Sequence, residues 1–330
     1  MNVPARVLAD FSGRNVLVTG GTGLIGRQVV GILCDAGAKV RVVSLDRFTV
    51  DPRAEHEVGD LCSFDTCRDI TRDMEFVFHL AGLQGTAQTS GSKMASHFVP
   101  TLMMNVNVLE AARLNDARKV VYTSSIGAYA DREVLRESEA RADSQPMSFA
   151  GWAKRMGELQ IHAYKVQYGL ENYSVVRMAQ VYGPGDNFDP ETGMVIPSLM
   201  ARIASGETPV VVWGDGSAVR DFLYSRDAAE GIILALHHGT GGGFVNLASG
   251  QGTSIRDLVL TLREFLDFEY RFDPGKPAGA PRRVMDISLA RERLGFHPAT
   301  TLREGLERTW DWFRAHRDEH KGRKNYFSEP

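Results

Sequence analysis

Val16–Val30, VLVTGGTGLIGRQVV, decides how this chain folds. The apolar run that begins at Asn15 reads as a buried strand, and Gly20, Gly23 and Gly26 follow it directly. Residues 24–36 then carry helical spacing. Glycines at these places permit a tight turn and let backbone approach a pyrophosphate closely. The helix start beyond them offers unpaired N–H groups and the positive end of its dipole. Asp46 ends the next apolar run, 39–46, about 20 residues past Gly26, where a carboxylate accepts hydrogen bonds from an adenosine ribose. It favours NAD over NADP, because a carboxylate repels a 2′-phosphate. Arg47 beside it would do the opposite. Asp60, in VGDL (58–61), is placed to reach the adenine.

Outward from this loop the pattern alternates. Strands are expected at 39–46, 75–82, 119–125 and 173–183, and helices at 98–116 and 150–169. Alternation of this kind predicts parallel βαβ units and an α/β fold with a doubly wound parallel sheet of Rossmann type. After about residue 183 glycine and proline rise and the elements shorten. Residues 1–183 are expected to bind the dinucleotide. Residues 184–330 are expected to form mainly a smaller C-terminal substrate lobe, interleaved with the first, and the polar tail HKGRKNYFSEP is expected to fray.

Composition narrows the function. The chain has 330 residues, 43% hydrophobic and 24% charged, with a net charge of −3. No basic stripe points to nucleic acid. No apolar run approaches the roughly 20 residues that span a bilayer. The first residues lack the layout of a signal peptide. Cys34, Cys62 and Cys67 have no zinc-like spacing, so no metal is expected, and a reducing cytoplasm is.

Further segments carry a resemblance. TGGTGLIG, VGDL, HLAG (79–82), NVLEAA (107–112), YTSS (122–125), a lysine-bearing helix and RMAQVYGPGDN (177–187) together resemble the extended short-chain dehydrogenase/reductases. That family comprises nucleotide-sugar epimerases, dehydratases and reductases, and the match runs over nearly the whole chain. Segments 186–203, 211–229 and 276–288 resemble its GDP-fucose-synthase-like members. The resemblance implies cofactor contacts at Leu24, Ile25, Leu61, Leu80, Ala81, Gly82 and Lys154. It also implies a catalytic serine at Ser125, with Ser124 beside it, and a catalytic lysine at Lys154.

The family's third catalytic residue is a tyrosine four places before the lysine. Here that place holds Ala150, in QPMSFAGWAK (145–154). A match shifted onto Phe149 is disfavoured, since AGWAKRMGE (150–158) fits the family pattern and phenylalanine exchanges no proton. Two readings stay open. The chain is a variant that lost its tyrosine, or another group moves the proton, with Ser125, Lys154 and Tyr129 as candidates. GDP-fucose-synthase-like members also use a cysteine and a histidine where this chain has Gly127 and Met194, so epimerisation at two carbons is not expected.

What remains is chemistry at one carbon. Epimerisation of a nucleotide sugar, GDP-linked by resemblance, through a transient ketone with bound NAD is expected. NAD(P)H-dependent reduction of a 4-keto sugar and a non-catalytic sensor of NAD or a sugar nucleotide are the alternatives. A diphosphate needs cations, and Arg220, Lys276 and Arg282 are the candidates. Gln84, Ser125, Gln180, Asn187 and Val195 are expected along the sugar. The family implies a homodimer built on the two long helices.

Overall fold

The computed structural model describes residues 3–83, 93–141, 143–317 and 319. Its strands, in chain order, are β1 (Asn15–Thr19), β2 (Lys39–Ser44), β3 (Glu55–Val58), β4 (Phe76–His79), β5 (Lys119–Ser125), β6 (Val134–Leu135), β7 (Tyr173–Met178), β8 (Gln180–Tyr182), β9 (Val210–Trp213), β10 (Val219–Arg220), β11 (Phe222–Tyr224), β12 (Phe244–Leu247), β13 (Thr253–Ser254), β14 (Tyr270–Asp273) and β15 (Arg282–Met285). Seven of them form one sheet in the order β3-β2-β1-β4-β5-β7-β12. Every pairing in it is parallel. The order runs outward in both directions from β1 and β4, so the doubly wound sheet expected from the sequence is present. Its switch point is the crevice beyond the C-terminal ends of those two strands.

Both faces of the sheet are covered, which is why β1, β4 and β7 read as near-continuous apolar runs. On one side lie α2 (Gly26–Asp35), α7 (Ser225–His238) and α9 (Ser288–Leu294); on the other, α3 (Phe64–Ile70), α4 (Met94–Leu114) and α5 (Phe149–Tyr168). A third cluster, with Ile196, Leu199, Leu258, Leu262 and Leu306, forms the core of the smaller lobe. That lobe carries α6 (Val195–Ala204), α8 (Ile255–Arg263), α10 (Leu302–Ala315) and the short-strand pairs β8·β11 and β9·β14.

Two local expectations change. The run 173–183 is two strands: β7 ends at Met178, and β8 leaves the main sheet to pair with β11. The helix expected from 98 starts at Met94. After residue 184 the chain crosses back: α7 packs under the main sheet and β12 joins its edge beside β7. Below β5 and β7 lies a largely buried ion pair, Arg177 with Glu158, at 2.7 and 2.9 Å. Among the described residues no helix is long and apolar enough to cross a membrane, and no cluster of metal-ligating side chains occurs.

Candidate active site

The crevice begins where β1 ends. Gly20 adopts φ +68°, and a Cβ there would lie 2.8 Å from the Ala81 Cα, so β1 and β4 close on each other only through glycine. A Cβ on Gly26 would lie 2.2 Å from the Gly20 carbonyl oxygen, which seats α2 against the turn. A Cβ on Gly23 would meet only that same oxygen, at 3.3 Å, and would otherwise fill the open cradle in front of the α2 N-terminus. Leu24 and Ile25 continue the turn into the helix, with Ile25 at its N-cap. At the far side the Thr22 hydroxyl donates to the Asp46 carboxylate at 2.7 Å, and the Asp46 amide donates to Ser44 Oγ at 3.0 Å. The carboxylate is thereby fixed just past β2, while Arg47 points to solvent. Asp60 is exposed and accepts from the Cys62 amide at 2.9 Å, over the buried Leu61.

A cradle that a side chain would fill, helix N–H groups above it and an anchored carboxylate fit a dinucleotide. Replacing Asp46 with asparagine should weaken NAD binding about tenfold, the order expected for a hydrogen bond to a charged group. It should also narrow the preference for NAD over NADP. Calorimetric titration with both cofactors checks this, and unchanged affinities would remove Asp46 from the site.

Lys154 stands on α5 across from the loop after β4. Two glycines bring the helix down. A Cβ on Gly151 would lie 1.9 Å from the Gly127 carbonyl oxygen, and one on Gly157 would lie 2.7 Å from the Tyr122 ring. Lys154 Nζ donates to the Thr123 carbonyl at 2.9 Å and lies 5.2 Å from the Tyr122 ring centre. A Cβ built on Gly82 would come within 3.2 Å of it. It forms no ion pair with a carboxylate among the described residues, and burial pushes its pKa down to about 8. Leu80 and Ala81 lead to this point, and the Ala81 amide donates to Thr19 Oγ1 at 3.3 Å.

The two serines part company. Ser125 Oγ accepts the Gly127 amide at 3.1 Å, which leaves its own O–H to donate at the strand end. The Ser124 hydroxyl donates to Glu158, inside the buried Arg177 network. Neighbouring residues of a strand face opposite sides, so Ser124 serves this network and Ser125 turns away from it. Ala150 lies in the first turn of α5, half-buried, behind the Ser148 N-cap. Tyr129 is buried and donates to Asn246 Oδ1 at 2.8 Å, and burial raises its pKa, so it is a structural phenol. Met194 is the N-cap of α6, and the half-buried Val195 opens that helix.

The substrate candidates separate likewise. Arg220 is buried on β10 and donates to the carbonyls of Val219 and Ala278, both at 2.8 Å. Neither acceptor carries a charge, and the nearby Arg283 helps lower its pKa after burial itself. Arg282 and Lys276 are exposed, with Lys276 near the Trp213 ring. Asn187 is occupied within its loop, donating to Thr192 and accepting the Asp189 amide. Gln180 Oε1 is buried with no hydrogen bond among the described residues. Gln84 lies outside the described residues.

The sequence reading overlooked a buried polar column. His79 has Nδ1 2.8 Å from Thr19 Oγ1 and Nε2 3.1 Å from Asn105 Oδ1, and its ring stacks on Tyr122. Complete burial, with Lys154 adding to it, pushes its pKa down to about 3, so it stays neutral and ties β1, β4 and α4 together. Asn105 also donates to the Ala153 carbonyl at 3.1 Å, one residue before Lys154. A histidine and a threonine ending adjacent parallel strands were the available signal.

Comparison with known proteins agrees with this geometry. A model described as the NAD dependent epimerase/dehydratase family matches residues 16–248. A probable GDP-L-fucose synthase 1 of Oryza sativa subsp. japonica is 30% identical, covering 94% of each chain. A dTDP-4-dehydro-6-deoxy-D-allose reductase of a Streptomyces species is 32% identical over 93% of this chain and 98% of its own. Among solved structures, the UDP-glucose 4-epimerase of Thermotoga maritima with UDP-glucose superposes with a TM-score of 0.81. It is 30% identical and covers 92% of this chain and all of its own, 100%.

Proposed function

The chain belongs to the NAD-dependent epimerase/dehydratase family, and from that premise we propose that it epimerises one carbon of a nucleotide-diphosphate sugar, GDP-linked, through a transient ketone. It is an enzyme of the nucleotide-sugar epimerase and reductase kind, with NAD as its cofactor. One observation carries the reading: the Lys154 ammonium, without a carboxylate partner among the described residues, stands where the Gly82 loop, Thr123 and Tyr122 meet. Gly20, Gly23, Gly26 and Asp46 would hold the dinucleotide. When bound, NAD supplies the acceptor and donor of the hydrogen exchanged at the sugar carbon.

This chain's own residues supply the rest. Lys154 would place its charge at the ribose next to the reacting centre. Ser125 would donate to the oxygen on the carbon that is oxidised and re-reduced. Gly127 and Met194 carry no exchangeable proton, which argues against chemistry at carbons flanking a ketone. Arg220, bonded only to carbonyls among the described residues, would supply charge for the diphosphate. Residues 184–224 and 249–315 would form most of the sugar-nucleotide lobe. Three free cysteines suit a reducing, cytoplasmic setting.

The likeness to a dTDP-4-keto-sugar reductase favours one second reading, net reduction of a ketone. Incubation with GDP-, UDP-, CDP-, dTDP- and ADP-sugars, followed by NMR, separates the two, with an Ala150→Tyr variant run beside the wild type. The expected result is an epimer, greatest with a GDP-sugar, at constant NADH. Stoichiometric NADH consumption would replace the epimerase by the reductase. Silence from both proteins with NAD bound would sink the catalytic reading.

The same reading includes a homodimer. Met103 and Val106 on α4 and Leu159 and Val166 on α5 are exposed, Val166 at 73%. Such a stripe suits a two-fold helix pairing. Light scattering should show a dimer, and Val106→Glu should shift it to monomer; a monomeric wild type would end the idea.

A further inference from the structure

We propose that His97 exchanges the substrate proton in place of the missing tyrosine, working across the space that Ala150 leaves. The inference rests on the reading of this chain as a hydrogen-transferring sugar-nucleotide enzyme.

The register of two helices places His97. α4 and α5 run side by side in the same direction. The Phe98 and Phe149 rings meet edge to face at 6.1 Å, Asn105 donates to the Ala153 carbonyl at 3.1 Å, and Gln160 donates to the Val106 carbonyl at 3.1 Å. Further along, the Tyr164 hydroxyl donates to Glu110. His97, one residue before Phe98, therefore stands beside the first turn of α5, the turn that holds Ala150.

The face of α4 that it occupies is also fixed. His97, Thr101 and Asn105 recur at four-residue spacing, which puts them on one side of the helix. All three are buried, at 4%, 1% and 0% exposure. Asn105, the last of them, reaches His79 and the backbone just before Lys154. Thr101 Oγ1, between the other two, has no hydrogen bond among the described residues although it is buried. A buried hydroxyl in that state marks a place made for a polar group. The exposed stripe of Met103 and Val106 lies on the opposite side.

His97 answers to the same centre as Lys154. Burial lowers its pKa, and the Lys154 charge lowers it further, so its ring is neutral near pH 7 and able to accept a proton. Tyr129 is bound to Asn246, both nitrogens of His79 are in hydrogen bonds, and the Lys154 ammonium donates to Thr123. A phenol on residue 150 would enter this space from α5; an imidazole on residue 97 enters it from α4.

The step balances. In the oxidative direction the sugar O–H proton passes to the neutral His97 nitrogen. The hydrogen on the same carbon leaves with its electron pair to NAD, and the C=O bond forms. On re-reduction the imidazolium returns its proton to the oxygen as the carbon regains hydrogen and electron pair on the other face.

Two experiments test the assignment. In protein carrying 13C-labelled histidine, the His97 signal is identified by its loss in His97→Gln. NAD alone should shift it, and an unmoved signal at saturating NAD overturns the placement. In kinetics, His97→Gln and His97→Asn should each lose roughly 10²–10⁴ in turnover while NAD affinity holds within about twofold. Ala150→Tyr should restore turnover in the His97→Gln background. Wild-type turnover in His97→Gln, or activity only when residue 150 is changed to tyrosine with His97 intact, overturns it. A wild type that binds NAD but turns over none of the sugars overturns the reading beneath it, and this assignment falls with it.

Discussion

Lys154→Met loses about 10²–10³ of turnover, the range for removing one preorganised donor charge from a reacting centre. Methionine keeps most of the side chain's length, so the helix remains seated on Tyr122 and the fold is unchanged. What disappears is a cation that no carboxylate among the described residues neutralises at this meeting of strand, loop and helix. The pH dependence gives a second, sharper signature. Burial pushes the Lys154 pKa down to about 8. In the free enzyme the ammonium is lost as pH rises through that value, so kcat/KM of the wild type should fall above about pH 8. Folding stability should move the other way. The unfolded chain holds this proton up to the ordinary lysine range, so between about pH 8 and 10.5 it binds more protons than the native state. Stability contributed by this group then rises with pH. Lys154→Met abolishes both trends at once. A variant with full turnover, or a wild-type profile flat through pH 8, would end the role given to this residue.

Arg177→Met costs about 3–5 kcal/mol of stability, the penalty for leaving one member of a buried ion pair behind. The Arg177 side chain is 1% exposed and Glu158 11%, and two hydrogen bonds join them. The guanidinium also lies over Phe244 at 3.7 Å and Tyr129 at 4.2 Å. Removing it strands the Glu158 carboxylate in the interior with only the Ser124 hydroxyl. Urea unfolding should show a lower midpoint at unchanged slope. The double variant Arg177→Met/Glu158→Gln should recover part of the loss, because no bare charge then remains. A cost below about 1 kcal/mol would mean that water reaches the pair. The network ends at Ser124, next to Ser125, so turnover should fall along with stability.

Much of the cofactor side was legible in the chain itself. Gly20, Gly23 and Gly26 announce their purpose because the constraint on them is local: a strand, a turn and a helix start within one short segment. Asp46 was legible for the same reason, one βα unit away. The substrate lobe was less so. Asn187 and Arg220 looked alike as polar loop candidates, yet Asn187 is spent on its own loop while Arg220 is buried and, among the described residues, bonds only carbonyls. The division near residue 183 could not show that β12 returns to the main sheet. Strand pairing is non-local, and nothing in a short apolar run names its partner.

The sequence by itself determined the doubly wound fold, the glycine turn after β1 and the absence of a tyrosine four residues before Lys154. Each is written in backbone constraints or side-chain identity within a few residues. Only the tertiary structure decided that Ser124 turns to the buried Glu158, that His79 is a neutral strut, and that Asn105 reaches the backbone just before Lys154. Those depend on which face of a strand a helix covers and on the register of two packed helices, and both are set by contacts between residues far apart in the chain.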